Sequence, residues 1–393
     1  MMNKNKNIIP PHPPLKKGGR GGFIFSLLAL SLALLSCTSS TIFPNIGPNL
    51  SSPIEMSVNS ATNRAYLVNS NNQFAYGNAS MQVLNLTNPA APTMVNYVEI
   101  ANFSGHTYLD AAANYIYLTN RLSNNNFDNE DQILRINIDE ASANFLAVEE
   151  FADGSNPFGL TYDITTNNLY VAEYESALGY FPLGNPASMN TVALANLSMS
   201  DGSTLASSNF RDVAIVGTQA FLSRPSQGLM IVNLTEGHAD YYISDFESPR
   251  AIVSDGVNLY LVNGETAGDS EVYKLYILNP AIFPPKSGAT TVEMVSKDTA
   301  GFTTAAVAVG INAQEVVLGT NFIFVSNQDD DTVSVIDRIT NAVTNTITVG
   351  AQPFGMALYS PGGVDTHLLV ANIQSNTVSV IDLGSMSVVG TYQ

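Results

Sequence analysis

Val325 to Asp337 reads VSNQDDDTVSVID, and Val370 to Asp382, 45 residues further on, reads VANIQSNTVSVID. Each copy holds a short apolar strand, a polar Asn/Asp turn and a second strand rich in β-branched residues. A repeat of that period marks an array of units that bury their faces on one another. Working outward, an apolar anchor followed by a small residue and a polar one recurs seven times. The copies are Tyr66-Leu67-Val68-Asn69, Tyr117-Leu118-Thr119-Asn120, Tyr170-Val171-Ala172-Glu173, Phe221-Leu222-Ser223-Arg224, Tyr260-Leu261-Val262-Asn263, Phe324-Val325-Ser326-Asn327 and Leu369-Val370-Ala371-Asn372.

Each anchor has similar neighbours. A strand precedes it, ending in a turn such as Thr62-Asn63, Thr166-Asn167 or Asp255-Gly256. Asn and Asp cap their own backbone and Gly permits positive φ, so these are tight-turn residues. A second strand follows, as at Gln82 to Leu86 or Ile133 to Ile138, and a more polar third closes most units, as at Val95 to Ile100 or Val388 to Tyr392. Ile323-Phe324-Val325 and Leu368-Leu369-Val370 are continuous apolar runs, as expected of strands covered on both faces. Four strands in each of seven units predict an all-β chain, a seven-bladed β-propeller of four-stranded antiparallel blades over residues 53–393. Six or eight blades is the alternative. The spacings of 51, 53, 51, 39, 64 and 45 residues are uneven, and an inserted loop or a longer outer strand is expected between Pro280 and Ala313. Ring closure stays open, with the segment before residue 53 able to supply an outer strand.

The residues resemble the YVTN-type β-propeller repeats: an aromatic anchor ending in Asn, a TVSVID strand, and a Gly-x-x-Pro-x-Gly turn. That turn stands at Gly350-Ala351-Gln352-Pro353-Phe354-Gly355 and again at Gly154-Ser155-Asn156-Pro157-Phe158-Gly159. The resemblance is closest from Val316 to Gln393 and weakest around Tyr170 and Phe221.

Phe23 to Leu35 reads FIFSLLALSLALL, preceded by basic residues. Thirteen residues are too few for a spanning helix and fit the apolar region of a signal peptide. The chain's only cysteine follows, in Leu34-Leu35-Ser36-Cys37, which resembles the lipobox of bacterial lipoproteins. The resemblance implies a signal peptide over residues 1–36, cleavage before Cys37, palmitate-type acylation of its thiol, and an anchor in the cell envelope. Thr38, where enterobacterial inner-membrane lipoproteins carry Asp, leans toward the outer membrane and a periplasmic or surface-facing body. Residues 37–52 are rich in Ser, Thr, Pro and Asn and read as a flexible tether.

Charged residues make up 12% of the chain, and net charge is −18, which becomes −23 once the five basic residues before Cys37 are removed. So acidic a body does not suit nucleic acid, whose phosphates need Lys and Arg. His106, His238 and His367 fall in different blades at no metal-ligand spacing, although a propeller can gather distant residues on its axis. No haem-attachment motif or nucleophile elbow is present, and Trp is absent. No catalytic residue, cofactor or transition metal is expected. Asp329, Asp330 and Asp331 are the candidates for a Ca²⁺ site, though successive side chains in a turn diverge. Asn124 to Asp131 (NNNFDNED) is a similar acidic turn. Phe74, Tyr76, Phe127 and Tyr180 are loop aromatics suited to a sugar or protein contact.

Three functions fit: a monomeric, lipid-anchored binding or scaffold module for a protein or glycan; an extracytoplasmic lactonase-, lyase- or hydrolase-like enzyme with a cation in the axial channel; or a surface-layer component. The second requires inward carboxylates or amides from several blades to converge around the axis.

Overall fold

Seven four-stranded antiparallel sheets follow one another along the chain, at residues 53–100, 104–153, 157–193, 212–243, 248–308, 313–348 and 353–392. We refer to them as blades one to seven. The computed structural model describes residues 44–72, 75–121, 131–154, 156–174, 177–183, 189–205, 209–225, 227–267 and 270–393. The expected signal segment, Cys37, Phe74 and Phe127 lie outside these. All seven anchors form the second strand of a blade, so the sequence pattern marks the same position in every sheet. Among the described residues no helix is long and apolar enough to cross a membrane.

The core is divided into seven apolar clusters, one in each seam between neighbouring blades. Tyr66 and Val68 of blade one pack with Ile116 and Leu118 of blade two, for example. Each sheet therefore has no solvent face along its inner strands, which explains their unbroken apolar runs.

The repeat motif has a mechanical reading. Asn327, fully buried at the end of its strand, donates through Nδ2 to Thr332 Oγ1 at 2.9 Å and Ser334 Oγ at 3.0 Å. Its Oδ1 accepts from the Gly310 amide at 3.0 Å. Asn372 repeats the first two bonds with Thr377 and Ser379, each at 3.0 Å. The anchor Asn thus ties its own strand to the Thr and Ser of the TVSVID strand and, in blade six, to the entry of the inner strand. The closing Asp of TVSVID caps the next turn: Asp337 Oδ1 accepts from the Ile339 and Thr340 amides at 3.0 and 2.8 Å. Asn327→Ala should cost about 2–3 kcal/mol, because it strands several buried groups at once. The urea midpoint of unfolding reads this directly.

The uneven spacing around blade five comes from residues 279–302, between that blade's third and fourth strands. This insertion reaches back across blade four. Glu293–Val295 pairs in parallel with His238–Ile243 as a fifth strand, and Val292 bridges to Met199 beside the small hairpin of Leu197–Ser198 and Thr204–Leu205. Phe283 and Phe302 plug the seam between blades four and five. Asp240 Oδ2 holds the Lys286 amide at 2.8 Å, and Asn233 Nδ2 donates to the Lys286 carbonyl at 2.7 Å.

Closure needs no exchanged strand. Blade one is built wholly from residues 53–100 and blade seven wholly from 353–392, and the residues from 44 to 52 add no strand. These residues lie on the ring instead: Ile46 is fully buried, and Gln82 Nε2 donates to the Pro48 carbonyl at 3.0 Å. The seam is held by an apolar cluster that includes Met56, Leu67, Leu369 and Val380. Across it the Tyr359 hydroxyl donates to Asn63 Oδ1 at 2.5 Å, and the Tyr392 hydroxyl to Gln82 Oε1 at 2.8 Å.

Candidate functional site at the propeller axis

Each blade's first strand begins with a short run at the same place: Pro53-Ile54-Glu55, Ser104-Gly105-His106, Pro157-Phe158-Gly159, Phe210-Arg211-Asp212, Pro249-Arg250-Ala251, Ala313-Gln314-Glu315 and Pro353-Phe354-Gly355. In six blades the pairing register breaks here, for example between Ala313 and Val316 and between Pro353 and Met356. Such bulges release residues from the ladder and re-aim them.

Their side chains meet across the ring. Arg211 of blade four donates through Nη2 to Gln314 Oε1 of blade six at 3.0 Å and lies 3.4 Å from Glu315 Oε1. His106 Nε2 of blade two lies 3.8 Å from the same Glu315 oxygen. The Arg211 guanidinium is 5.6 Å from the ring centre of Phe158 and 5.7 Å from that of Phe354. Blades two and six, or four and seven, are not neighbours, so these contacts can form only across the axis. Arg121, just after the blade-two anchor, stacks its guanidinium 4.1 Å over Phe158. Arg250 reaches the Tyr273 hydroxyl at 3.3 Å. The cavity left between Ile54, Glu55, His106, Thr119, Arg121, Phe158 and Phe354 is about 10 Å³, room for roughly one water molecule.

Below the arginines three carboxyls are crowded together. Burial, then the nearby Glu315 carboxyl, pushes Glu55 well above the usual carboxylate range. Burial likewise raises Asp212, against the pull of two backbone amides: Val213 on Oδ1 and Ile252 on Oδ2, both at 2.9 Å. Burial raises Glu315 although Arg211 favours its ionised form. Burial first, then Arg211 and Arg121, lowers the His106 imidazole to about 3, so it is a neutral ring. Burial, then the Arg211 charge, brings Arg121 down to about 10. Desolvation is the first cause throughout, as expected of charges drawn into a plugged channel.

Among the described residues no group of three or more His, Cys, Asp or Glu is arranged to hold a metal ion. Asp329, Asp330 and Asp331 occupy one turn but serve different donors. Asp329 Oδ1 takes Asn312 Nδ2 at 3.0 Å, Asp330 Oδ2 the Ile311 amide at 2.6 Å, and Asp331 Oδ1 the Gln352 amide at 2.9 Å. The turn spends its acids on loop geometry. Of the loop aromatics, Tyr180 stacks on Tyr170 with ring centres 5.7 Å apart, and Tyr76 closes a turn through its amide and carbonyl on Asn71. His238 lies 2.8 Å from Asp240, and His367 3.8 Å from Asp382. Neither joins His106.

No family model matches the chain, and no curated protein matches it by sequence. The likeness is in shape. A chain of hydrazine synthase from Kuenenia stuttgartiensis superposes with a TM-score of 0.62 at 13% identity, over 85% of this chain and 96% of that one. A chain from a nidogen/laminin complex gives 0.46 at 13% identity, over 71% and 93%. At such identities the first likeness speaks for the propeller fold alone, and the second carries no argument.

Sequence reasoning reached the anchors but not Glu55, Arg121, Arg211, Asp212, Arg250 or Glu315. The missed signal is positional. The residues one and two places after the proline, or its stand-in, of the Gly-x-x-Pro-x-Gly turn line the axis in every blade. Aligning that turn across all seven units brings them into one column.

Proposed function

We propose that the protein is a cell-envelope lipoprotein, cut before Cys37 and acylated there, whose propeller serves as a binding module. The partner, a protein or glycan of the extracytoplasmic space, meets the face on which the inner strands begin. The observation that carries this reading is the plugged axis: the cavity between the converged side chains is about 10 Å³, room for about one water. A surface so built can grasp a group at the mouth; it does not engulf a substrate.

The anchor rests on the placing of the single cysteine after thirteen mostly apolar residues. Two or more chains hold a protein firmly on a bilayer, whereas one holds it only reversibly. Cys37→Ser should abolish palmitate labelling and release the protein from the membrane fraction. Labelling that survives the substitution rejects the anchor.

The binding face is tested separately. A photo-cross-linking residue at Ile54, half-buried beside the cavity, should give a discrete adduct in intact cells. The same residue at Val389, exposed on the outer strand of blade seven, should not. Equal adducts from both positions, or none, reject the mouth as the recognition surface. The enzymatic reading has the meeting of Glu55, Asp212 and Glu315 from three blades behind it, with burial raising these carboxyls beside a neutral imidazole, a pattern common at active sites. Turnover by the purified protein is its test, and the module reading expects none.

A further inference from the structure

Basic residues are scarce in the body of this chain. After Cys37 there are seven arginines and three lysines. Three of those arginines, Arg121, Arg211 and Arg250, crowd one end of the axis. Arg211 lowers the proton affinity of Arg121, and Arg250 that of Arg211, so Arg211 lies within the field of both. Gathering like charges where water is scarce costs stability, through burial and mutual repulsion, unless something offsets it.

Neutralising the nearby carboxyls accounts for only part of the cluster, since Arg211 and Arg250 both act on Glu315 while Arg121 acts on none of the three. Asp212 spends its two oxygens on the Val213 and Ile252 amides, and Glu55 Oε1 accepts from the Met56 amide at 2.9 Å. Among the described residues, Glu315, 3.4 Å from Arg211, is the only carboxyl within ion-pair distance of these three arginines. Arg250 has a neutral phenol as its partner, and Arg121 lies on a phenyl face. Arg211 is nine-tenths buried, and its Nε has no hydrogen-bond partner among the described residues. A buried donor without an acceptor costs roughly 1–3 kcal/mol and calls for a missing partner such as a water or an anion. The Phe158 and Phe354 rings lie 5.6 and 5.7 Å from the Arg211 guanidinium and keep its surroundings apolar. Guanidinium groups match the paired oxygens of carboxylate and phosphate, and they hold them best where water is scarce.

From this we propose that the axial mouth is an oxyanion site, which takes a carboxylate or phosphate group of the ligand between Arg121, Arg211 and Arg250. The inference rests on the reading of that mouth as the recognition surface, and it names the chemistry recognised there. The ligand's charged group faces the guanidiniums at the mouth, while the rest of the ligand stays outside the plugged channel.

The test is calorimetric titration of the full mature chain in detergent at neutral pH, with chloride holding ionic strength constant. Inorganic phosphate and benzoate are the two probes. The expected result is saturable one-to-one binding of at least one of them, weakened about tenfold by Arg250→Gln and by Arg121→Gln. Both variants should still unfold cooperatively in urea, Arg250→Gln with little change of midpoint and Arg121→Gln with a lower one because it loses its stacking on Phe158. Phosphate binding without benzoate points to a phosphorylated glycan or headgroup, and benzoate binding without phosphate to a carboxylate-bearing ligand; each supports the site. Absence of saturable binding by both probes overturns the proposal, as does binding that both variants leave unchanged. Should the Ile54 adduct form while neither probe binds, the recognition surface stands and the oxyanion chemistry falls.

Discussion

Gly355→Ala should destabilise the protein by about 3 kcal/mol or more and open the seam between blades seven and one. A Cβ at this position would lie 2.2 Å from the Ile54 carbonyl oxygen and 2.7 Å from Glu55 Cα. Both atoms belong to the backbone of the neighbouring blade, so no rotamer change can relieve the contact. One of the two inner strands has to retreat. Overpacking usually costs about 1–3 kcal/mol, and the rigid partner places this case at the upper end. The seam is also the vulnerable one. Every other pair of neighbouring blades is joined by the chain, whereas blades one and seven meet only through side-chain packing and a few hydrogen bonds. The substitution should lower the urea midpoint and speed proteolysis within the first or last blade. Gly384→Ala is the control, since its Cβ would meet nothing closer than Asp382 Oδ1 at 3.4 Å. Equal midpoints for the two variants would show that the ring is not closed by this contact.

Gly355 also shows what the sequence can and cannot reveal. The anchors were legible because each blade buries its second strand on both faces, which leaves continuous apolar runs at a repeated position. The turns were legible because Asn and Asp cap them in nearly every blade: Asp163 Oδ1 holds the Thr165 amide at 2.9 Å just as Asp255 Oδ1 holds Val257 at 3.0 Å. The long interval after Tyr260 announced either an inserted loop or a longer outer strand; it is an insertion, and its destination was hidden. Pairing of Glu293–Val295 with blade four is a contact of high sequence separation, and three residues carry no pattern. The axial site was hidden for a different reason. Glu55, His106, Asp212 and Glu315 lie in separate blades with unrelated sequence neighbours, and only ring closure makes neighbours of them. A lone Glu315 in a strand looks like a solvated residue until a bulge turns it inward.

The pH dependence of stability should bear the mark of that inward turn. Between about pH 5 and 8 the protein should become less stable as pH rises, and Glu315→Gln should flatten the slope. The folded state keeps protons on Glu55, Asp212 and Glu315 that an unfolded chain has released by about pH 5. With more protons bound when folded, stability is full below the ordinary carboxylate range and is lost as pH climbs through the raised values. His106 works the other way. Its imidazole stays neutral in the fold down to about 3, whereas the unfolded ring takes a proton below about 6.5, so its contribution is lost on acidification. Three carboxyls oppose one imidazole, and the descending slope toward alkaline pH prevails. Gln at position 315 keeps the shape and an amide oxygen for Arg211 but has no proton to lose. Near pH 5, where Glu315 is itself neutral, variant and wild type should have similar urea midpoints. By pH 8 the variant should be ahead by a few kcal/mol, about 1.4 kcal/mol for each pH unit over which one proton is retained. The gap has a structural limit, because ionised Glu315 recovers part of its cost from Arg211 at 3.4 Å. Parallel curves for the two proteins from pH 5 to 8 would mean that Glu315 is ionised throughout, and the axis would then hold a conventional ion pair in place of a protonated acid.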